Sequence, residues 1–219
     1  MTEPYNPLHK LNLGKSVAEA LLETAADSLG SLDAFEGAGI YVLYYRGPFS
    51  AYARMAERNA NVSRWPIYIG KAVPAGARRG ASLLSEPTGR YLFNRLKEHA
   101  DNVKQVANLN IEDFTCRYLR VDDIWIPLGE TLLISRFRPV WNLVVDGFGN
   151  HDPGAGRYSG EIPLWDVLHP GRSWAPRMQP RKRGETALDI EKLVEAFLSE
   201  NEPPNDPHIS FNPGSTSGT

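Results

Sequence analysis

The chain has 219 residues and a formal net charge of −2, and 42% of its side chains are hydrophobic. These values suit one domain with a single sizeable core. No apolar run in the sequence approaches the roughly 20 residues that a membrane-spanning helix needs, so we expect no such helix. The single cysteine, Cys116, excludes an internal disulfide. The lack of a secretory signal at the start agrees with this and predicts a cytoplasmic protein.

The charge is distributed unevenly along the chain. Residues 37–184 contain 21 basic and 13 acidic side chains, a net charge of +8, whereas residues 1–36 and 185–219 are acidic. Acidic ends around a basic centre are expected when one face of a protein meets a polyanion. Solvated surface charge is the alternative, and composition alone does not decide between the two.

In the first half of the chain, apolar periodicity predicts two helices and two strands. A capping-box pattern begins at Ser16 and is followed by apolar residues at helical spacing. The sequence GIYVLYY is β-branched and aromatic, which is typical of a buried strand. The predicted elements are a helix over 16–29 ended by Gly30, a strand over 39–45, a helix over 48–59 and a strand over 65–71.

The second half predicts a further strand and three helices. Phe114, Cys116 and Tyr118 alternate with other side chains, as in a strand, and Pro139 ends the helix before it. The predicted elements are a helix over 91–106, a strand around 114–119, a helix over 128–137 and a last helix over 187–199 capped by Thr186. The connections 146–160 and 169–184 are loops rich in Gly, Pro and Arg.

Two tripeptides on neighbouring predicted strands are followed by polar side chains in a defined order. The tripeptides are Gly39-Ile40-Tyr41 and Tyr68-Ile69-Gly70. Arg95 and His99 are four residues apart and therefore share one face of a helix. The later members are Glu130 in the next helix and Asn142 after it. This series resembles the GIY-YIG nuclease family, and in particular its type II restriction endonucleases.

The resemblance covers about residues 38–145 and implies an α/β (α+β) fold. A small central β-sheet would be flanked by helices, with inserted loops and helical extensions at both ends. Residues 1–200 would form a single nuclease domain. Segments 46–64, 72–89 and 146–184 would be added elements for DNA contact or dimerisation, and residues 201–219 would be a disordered tail.

The resemblance also implies a metal-dependent hydrolysis of phosphodiester bonds. One Mg²⁺ (or Mn²⁺) per active site would stabilise charge on the phosphate and on the departing 3′ oxygen. Mg²⁺ needs only one protein carboxylate when substrate oxygens and waters complete its shell. Glu130 is the expected ligand. A surface glutamate or a helix-capping partner is the alternative interpretation of this residue.

The other members of the series have expected catalytic roles. Arg95 would grip the non-bridging oxygens of the phosphate. Tyr41 would be the general base or would orient the water, with His99 as its proton partner, and which of the two moves the proton stays open. Tyr68 would be a second orienting hydroxyl, and the amide of Asn142 would hold the metal-side loop or a phosphate.

Several basic residues outside this series are expected to contact DNA. Lys71 directly follows the second tripeptide and is assigned to the backbone. The basic run in loop 169–184 is either a recognition loop that reads guanine or a non-specific phosphate contact. The complete expected set is Lys71, Arg78, Arg79, Arg90, Arg172, Arg177, Arg181, Lys182 and Arg183.

Three functions follow from these observations. The first is a type II restriction endonuclease that cuts double-stranded DNA at a GC-rich palindrome as a homodimer, with a cognate methyltransferase as its genetic partner. The second is a repair or homing nuclease that nicks DNA. The third is a DNA-binding protein that keeps the fold without catalysis, which the presence of all six catalytic residue types disfavours.

Overall fold

The computed structural model describes residues 6, 8–74 and 89–203. The elements are α1 (Lys10–Glu23), β1 (Asp27–Ser28), β2 (Gly39–Tyr45), α2 (Ala53–Asn59), β3 (Pro66–Ala72), α3 (Tyr91–Lys104), β4 (Phe114–Arg120), α4 (Ile126–Phe137), α5 (Val140–Leu143), α6 (Leu164–Leu168) and α7 (Ala187–Glu200). Most of the predicted insertion 72–89 and of the tail 201–219 lies outside the described residues. In the described part, none of the helices is long and apolar enough to cross a membrane.

The sheet has four strands in the order β1-β4-β2-β3, and all neighbours are antiparallel. Strand β2 is central and buried along its whole length, as its aromatic and β-branched sequence predicts. A Cβ on Gly39 would lie 1.9 Å from the carbonyl oxygen of Leu119 on β4. Glycine therefore allows the close strand approach at the start of β2.

Each face of the sheet has its own apolar cluster, because successive strand residues point to opposite sides. Tyr41, Leu43 and Tyr45 pack into the larger cluster, to which α3 contributes. Ile40 and Val42 pack into the smaller one with α1 and α4. Helices α3 and α4 therefore approach the sheet from opposite faces.

The predicted bounds of the first helix are wrong. Helix α1 begins at Lys10 with His9 as its N-cap and ends at Glu23. Its buried stripe starts at Gly14, before the apparent capping box at Ser16, and a Cβ on Gly14 would lie 3.4 Å from the backbone of α4. Tertiary packing against α4 thus sets the start of the helix, and Gly30 lies in a 3-10 turn beyond its end.

The predicted fold class is confirmed, since the chain forms a mixed α/β structure with a small central sheet. Strand β2 has its predicted bounds, and Thr186 caps α7 in a reciprocal capping box with Asp189. The two-residue strand β1 and the short helices α5 and α6 were not predicted, because their few residues give no periodic pattern. Cys116 is a free cysteine buried in β4, as expected.

Candidate active site

A buried phenol and a buried imidazole face each other between β2 and α3. The Tyr41 hydroxyl lies 2.6 Å from Nε2 of His99, and both side chains are at most 1% exposed. In the described part of the chain, Nδ1 of His99 has no hydrogen-bond partner. Tyr41 comes from the centre of the sheet and His99 from the inward face of α3, so two rigid elements fix the pair.

The electrostatics of this pair favour its neutral form. Burial raises the pKa of Tyr41 well above its ordinary value, and nearby Tyr68 raises it further, whereas Arg95 lowers it. Burial lowers the pKa of His99 well below its ordinary value, and the charge of Arg95 adds to this effect. At neutral pH the phenol is therefore a donor and Nε2 an acceptor.

Gly70 leaves room for the Tyr41 ring because it has no side chain. The two residues are directly opposite across β2 and β3. A Cβ on Gly70 would lie 2.3 Å from the Tyr41 hydroxyl oxygen and 2.5 Å from Cζ. The last glycine of the second tripeptide is thus required because the phenol occupies the space of a side chain.

The substitution Gly70→Ala is expected to displace the Tyr41 hydroxyl from His99 and to lower the single-turnover cleavage rate about a hundredfold. Overpacking of the buried ring should also cost about 1–3 kcal/mol in the free energy of unfolding, measured in urea. Gly156→Ala is the matched control, since a Cβ there meets nothing within 4 Å. Equal rates for both variants would contradict this account of Gly70.

Tyr68 and Phe148 complete an aromatic box around His99. The Phe148 ring stacks on the imidazole with centroids 4.6 Å apart, and Tyr68 meets it edge-on at 5.3 Å. Burial raises the pKa of Tyr68, and Arg95 lowers it. The hydroxyl of Tyr68 lies beside Gly149, where a Cβ would be 2.9 Å away. The box removes water from His99 and brings the two phenols to one side.

Arg95 lies at the open side of this box. Its Nη2 donates to the carbonyl oxygen of Gly149 at 2.8 Å, and its Nη1 lies 2.8 Å from Nε2 of His151 and 3.1 Å from Glu98. The guanidinium is partly exposed and acts electrostatically on both phenols. Arg95 thus presents a permanent positive charge next to Tyr41 and remains accessible to a phosphate.

Glu130 approaches the same edge of the sheet from the opposite face. Its Oε2 lies 2.6 Å from Nζ of Lys71, and its side chain is 16% exposed. Burial is the main cause of the raised pKa values of Tyr41 and Tyr68, and the negative charge of Glu130 contributes to both. Glu130 thus adds negative charge to the surroundings of both phenols, although its direct partner is Lys71.

The donor set fits a divalent cation only if a single protein carboxylate binds that cation. Among the described residues, no group of three His, Cys, Asp or Glu side chains is arranged to hold a metal. A single carboxylate, Glu130, fits a hard cation that takes its remaining oxygens from substrate and water. It does not fit a cation caged by protein ligands. Lys71 is the positive partner of Glu130 in the structure, although the sequence assigned it to the DNA backbone.

Asn142 binds the backbone of β3. Its Oδ1 accepts from the N–H of Ile69 and its Nδ2 donates to the carbonyl of Ile69, both at 2.8 Å. Among the strands that the structure describes, β3 is at the edge of the sheet, so the amide satisfies two backbone groups that have no described strand beside them. Asn142 thus fixes the segment between Tyr68 and Gly70.

Removing this clamp with Asn142→Ala is expected to lower the free energy of unfolding by about 1–3 kcal/mol, because two buried backbone groups lose their partner. Urea denaturation measures the change. Leu143→Ala is the control, since Leu143 belongs to the same short helix and is 48% exposed. The idea of a clamp would be lost if both variants unfolded at the wild-type urea concentration.

The assignment of Arg172 to DNA is wrong. Its side chain is 1% exposed and forms an ion pair with Asp166, so it cannot reach a phosphate. Burial of Arg172 could not be predicted from its place in a basic run within a loop. Arg78 and Arg79 lie outside the described residues.

The other basic residues of the expected DNA-binding set lie at the surface. Arg181 pairs with Glu185 at 3.2 Å, and Lys182 lies 3.6 Å from Glu161. Arg177 donates to the hydroxyl of Tyr158 at 3.1 Å. Arg90 and Arg183 are exposed. These five side chains remain available as contacts, but none of them lies in the box around His99.

Sequence reasoning missed segment 147–150, which covers His99 and binds Arg95. A lone Gly-Phe-Gly in a loop carries no signal that it lies against His99. It also missed His151 as a neighbour of Arg95. Sequence reasoning also gave no role to Gly70, although the second tripeptide contains it.

Comparison with known proteins identifies the family. A family profile described as the Eco29kI GIY-YIG domain matches residues 33–198, which is most of the chain. A search of curated proteins gives no match. The profile covers the two strands with the tripeptides, helices α3 and α4, and the C-terminal extension, which comprises residues 146–198. The chain therefore belongs to the Eco29kI GIY-YIG family of site-specific deoxyribonucleases.

Proposed function

We propose that this nuclease is a type II restriction endonuclease that uses Mg²⁺ to hydrolyse both strands of a specific DNA site. The observation that carries the proposal is the buried pair of Tyr41 and His99, 2.6 Å apart, with Arg95 bound 2.8 Å away on the Gly149 carbonyl beside the Tyr68 hydroxyl. The family match extends through the added segments up to residue 198, which supports the restriction branch over a bare nuclease core.

In this proposal Tyr41 orients the attacking water and relays its proton to Nε2 of His99. The 2.6 Å contact provides the path, and burial makes a free Tyr41 phenolate unfavourable. Arg95 binds a non-bridging oxygen of the scissile phosphate. The negative charge of that phosphate offsets the charge of Arg95 and so favours an imidazolium at His99 in the complex.

Glu130 would hold the cation, with Mg²⁺ preferred and Mn²⁺ as its substitute. When bound, the cation supplies a Lewis acid for the phosphate and the departing 3′ oxygen. Lys71 neutralises the Glu130 carboxylate in the free protein and becomes available to the DNA backbone when that carboxylate changes partner. Asn142 holds the backbone of β3, the strand that carries Lys71.

We further propose a homodimer, because one active site per chain must cut two strands of a palindromic site. A GC-rich site, a cognate methyltransferase and a cytoplasmic location belong to the same proposal. The surface residues Arg90, Arg177, Arg181, Lys182 and Arg183, together with Arg78 and Arg79, are proposed DNA contacts. Residues 1–200 are proposed as one nuclease domain.

The experiment that tests this function is digestion of a sequenced plasmid with Mg²⁺, with Mn²⁺, and with EDTA. Discrete fragments whose ends map to one palindrome are the expected result. Relaxed circles, or cuts confined to branched DNA, would instead favour a repair or homing nuclease. Binding without cleavage in either metal would favour a protein that lacks catalysis.

A further inference from the structure

The C-terminal extension has a buried ion pair at its centre. Arg172 is 1% exposed and Asp166 is 2% exposed. Nε of Arg172 donates to Oδ1 of Asp166 at 2.6 Å, and its Nη2 donates to Oδ2. The guanidinium lies between the rings of Trp165 and Trp174, at 4.6 Å and 4.5 Å from their centroids. The orientation of Arg172 is therefore fixed on every side.

The rest of the guanidinium binds one short segment of backbone. Nη1 donates to the carbonyl oxygens of Phe148 and Asn150 at 3.2 Å and 3.0 Å, and Nη2 donates to that of Gly147 at 2.9 Å. Together with the two bonds to Asp166, these contacts give all five N–H donors an acceptor. Three carbonyls of segment 147–150 thus converge on one side chain.

The same segment touches the proposed active site at two points. The Phe148 ring stacks on His99 with an interplanar angle of 16°. The one carbonyl of the segment that Arg172 does not bind, that of Gly149, accepts the 2.8 Å hydrogen bond from Arg95. A shift of segment 147–150 would therefore uncover His99 and release Arg95 in one movement.

We propose that Arg172 is a positioning residue of this nuclease, which acts through segment 147–150 to hold Arg95 and to keep His99 covered by Phe148. The inference rests on the proposed function, which assigns Arg95 and His99 to the reaction. The inference also gives the C-terminal extension a role in catalysis, although Arg172 itself touches no substrate.

Stability alone does not account for a buried arginine at this place. Burial of an ion pair carries a desolvation penalty, and a well-packed apolar pair of similar volume is often as stable. An apolar pair, however, offers no donors to three carbonyl oxygens. Lysine would keep the charge but lacks the planar fork that reaches Gly147, Phe148 and Asn150 at once.

The test uses two variants of the full chain. The double variant Asp166→Leu/Arg172→Met removes both charges and keeps the volume, and Arg172→Lys keeps the charge and loses the fork. For both, the single-turnover cleavage rate constant is expected to fall about a hundredfold, since a displacement near 1 Å suffices for such a loss. DNA affinity without metal is expected to stay within about threefold, because Arg172 is buried.

A pH profile separates positioning from simple destabilisation. Burial lowers the pKa of His99, and the charges of Arg95, His151 and Arg172 lower it further. Arg172→Lys keeps the charge at position 172, so a move of its acid limb to higher pH reports the loss of the Phe148 cover. The acid limb of the double variant moves for a second reason as well, because that variant also loses the charge of Arg172. Met55→Ala is the matched control: it removes a fully buried side chain from α2 that takes no part in the hydrogen bonds of Arg172. Its acid limb is expected to stay at the wild-type pH.

The outcomes are distinct. If His99→Ala and Arg95→Ala lose cleavage while both Arg172 variants cleave at the wild-type rate, the positioning inference is overturned and the proposed site survives. If His99→Ala and Arg95→Ala cleave normally, the proposed site itself is wrong. If the double variant fails to fold, Arg172→Lys decides alone: a lower rate with a shifted acid limb supports the inference, and a wild-type profile overturns it.

Discussion

The substitution Glu130→Gln is expected to lower the single-turnover cleavage rate in Mg²⁺ by about a thousandfold or more. Glutamine keeps the shape of the side chain but removes the charge that would hold the cation. The loss should therefore appear in the chemical step. DNA affinity measured in EDTA is expected to stay within about threefold of the wild-type value.

The large expected loss of rate follows from the position of Glu130. Its carboxylate acts on both phenols across the edge of the sheet, and its described ionic partner is Lys71 at 2.6 Å. Because this pair is partly exposed, its loss should cost at most about 1 kcal/mol of stability. Misfolding would thus not account for an inactive variant.

Glu112→Gln is the control for Glu130→Gln. Glu112 is an exposed glutamate in a turn before β4, and its substitution should leave the rate unchanged. Wild-type cleavage by Glu130→Gln in Mg²⁺ would remove the metal assignment. Rescue of its activity by Mn²⁺ to a fraction of the wild-type rate would agree with a weakened site.

The second large effect is expected for the Tyr41 and His99 pair. Tyr41→Phe and His99→Ala should each lower the single-turnover rate by about 10²–10⁴-fold. Because the two groups act as one unit, the double variant should lose about as much as either single variant. Tyr41→Phe removes one oxygen and keeps the ring on Gly70, so it is the cleaner of the two changes.

The double-mutant cycle is measured by adding the metal to a preformed complex of protein and DNA, so that DNA binding does not limit the rate. Additive losses, in which the double variant falls by the product of the two single effects, would contradict a shared proton path. Near-normal rates in both single variants would remove the pair from the mechanism.

The pH dependence follows from the directions of the two shifts. Burial is the largest cause of the depressed pKa of His99, and it persists when a phosphate offsets the charge of Arg95, so His99 is neutral and can accept a proton above about pH 6.5. A relay to His99 predicts a flat rate from about pH 6.5 to 9. A rate that instead rose tenfold per unit would indicate that a rare Tyr41 phenolate is the base, since the pKa of Tyr41 lies well above its ordinary value.

The sequence predicted the elements whose signal is local. Strand β2 is a continuous β-branched and aromatic run, and α7 has a capping box and a periodic apolar face, so both were found at or near their bounds. Helix α1 was displaced by six residues at its start, because its contact with α4 through Gly14 is a tertiary property.

The candidate site was predicted to a similar extent. Tyr41, Tyr68, Arg95 and His99 could be assembled from two strand tripeptides and one helix face, and the structure brings these four side chains together. Arg172 was misassigned because burial cannot be read from a basic run in a loop. The contact of Asn142 with the Ile69 backbone depends on β3 being an edge strand, which needs the sheet order.

The central claim is that one cation and one phosphate meet between Glu130, Arg95 and the two phenols. The most direct test is a crystal of the protein with Mn²⁺ and a cognate duplex that resists cleavage, with the cation located by anomalous scattering. The account predicts one Mn²⁺ per chain, about 2 Å from a Glu130 oxygen and a scissile-phosphate oxygen, with Arg95 on the same phosphate. A cation bound elsewhere, with the Glu130 carboxylate still on Lys71, would contradict it.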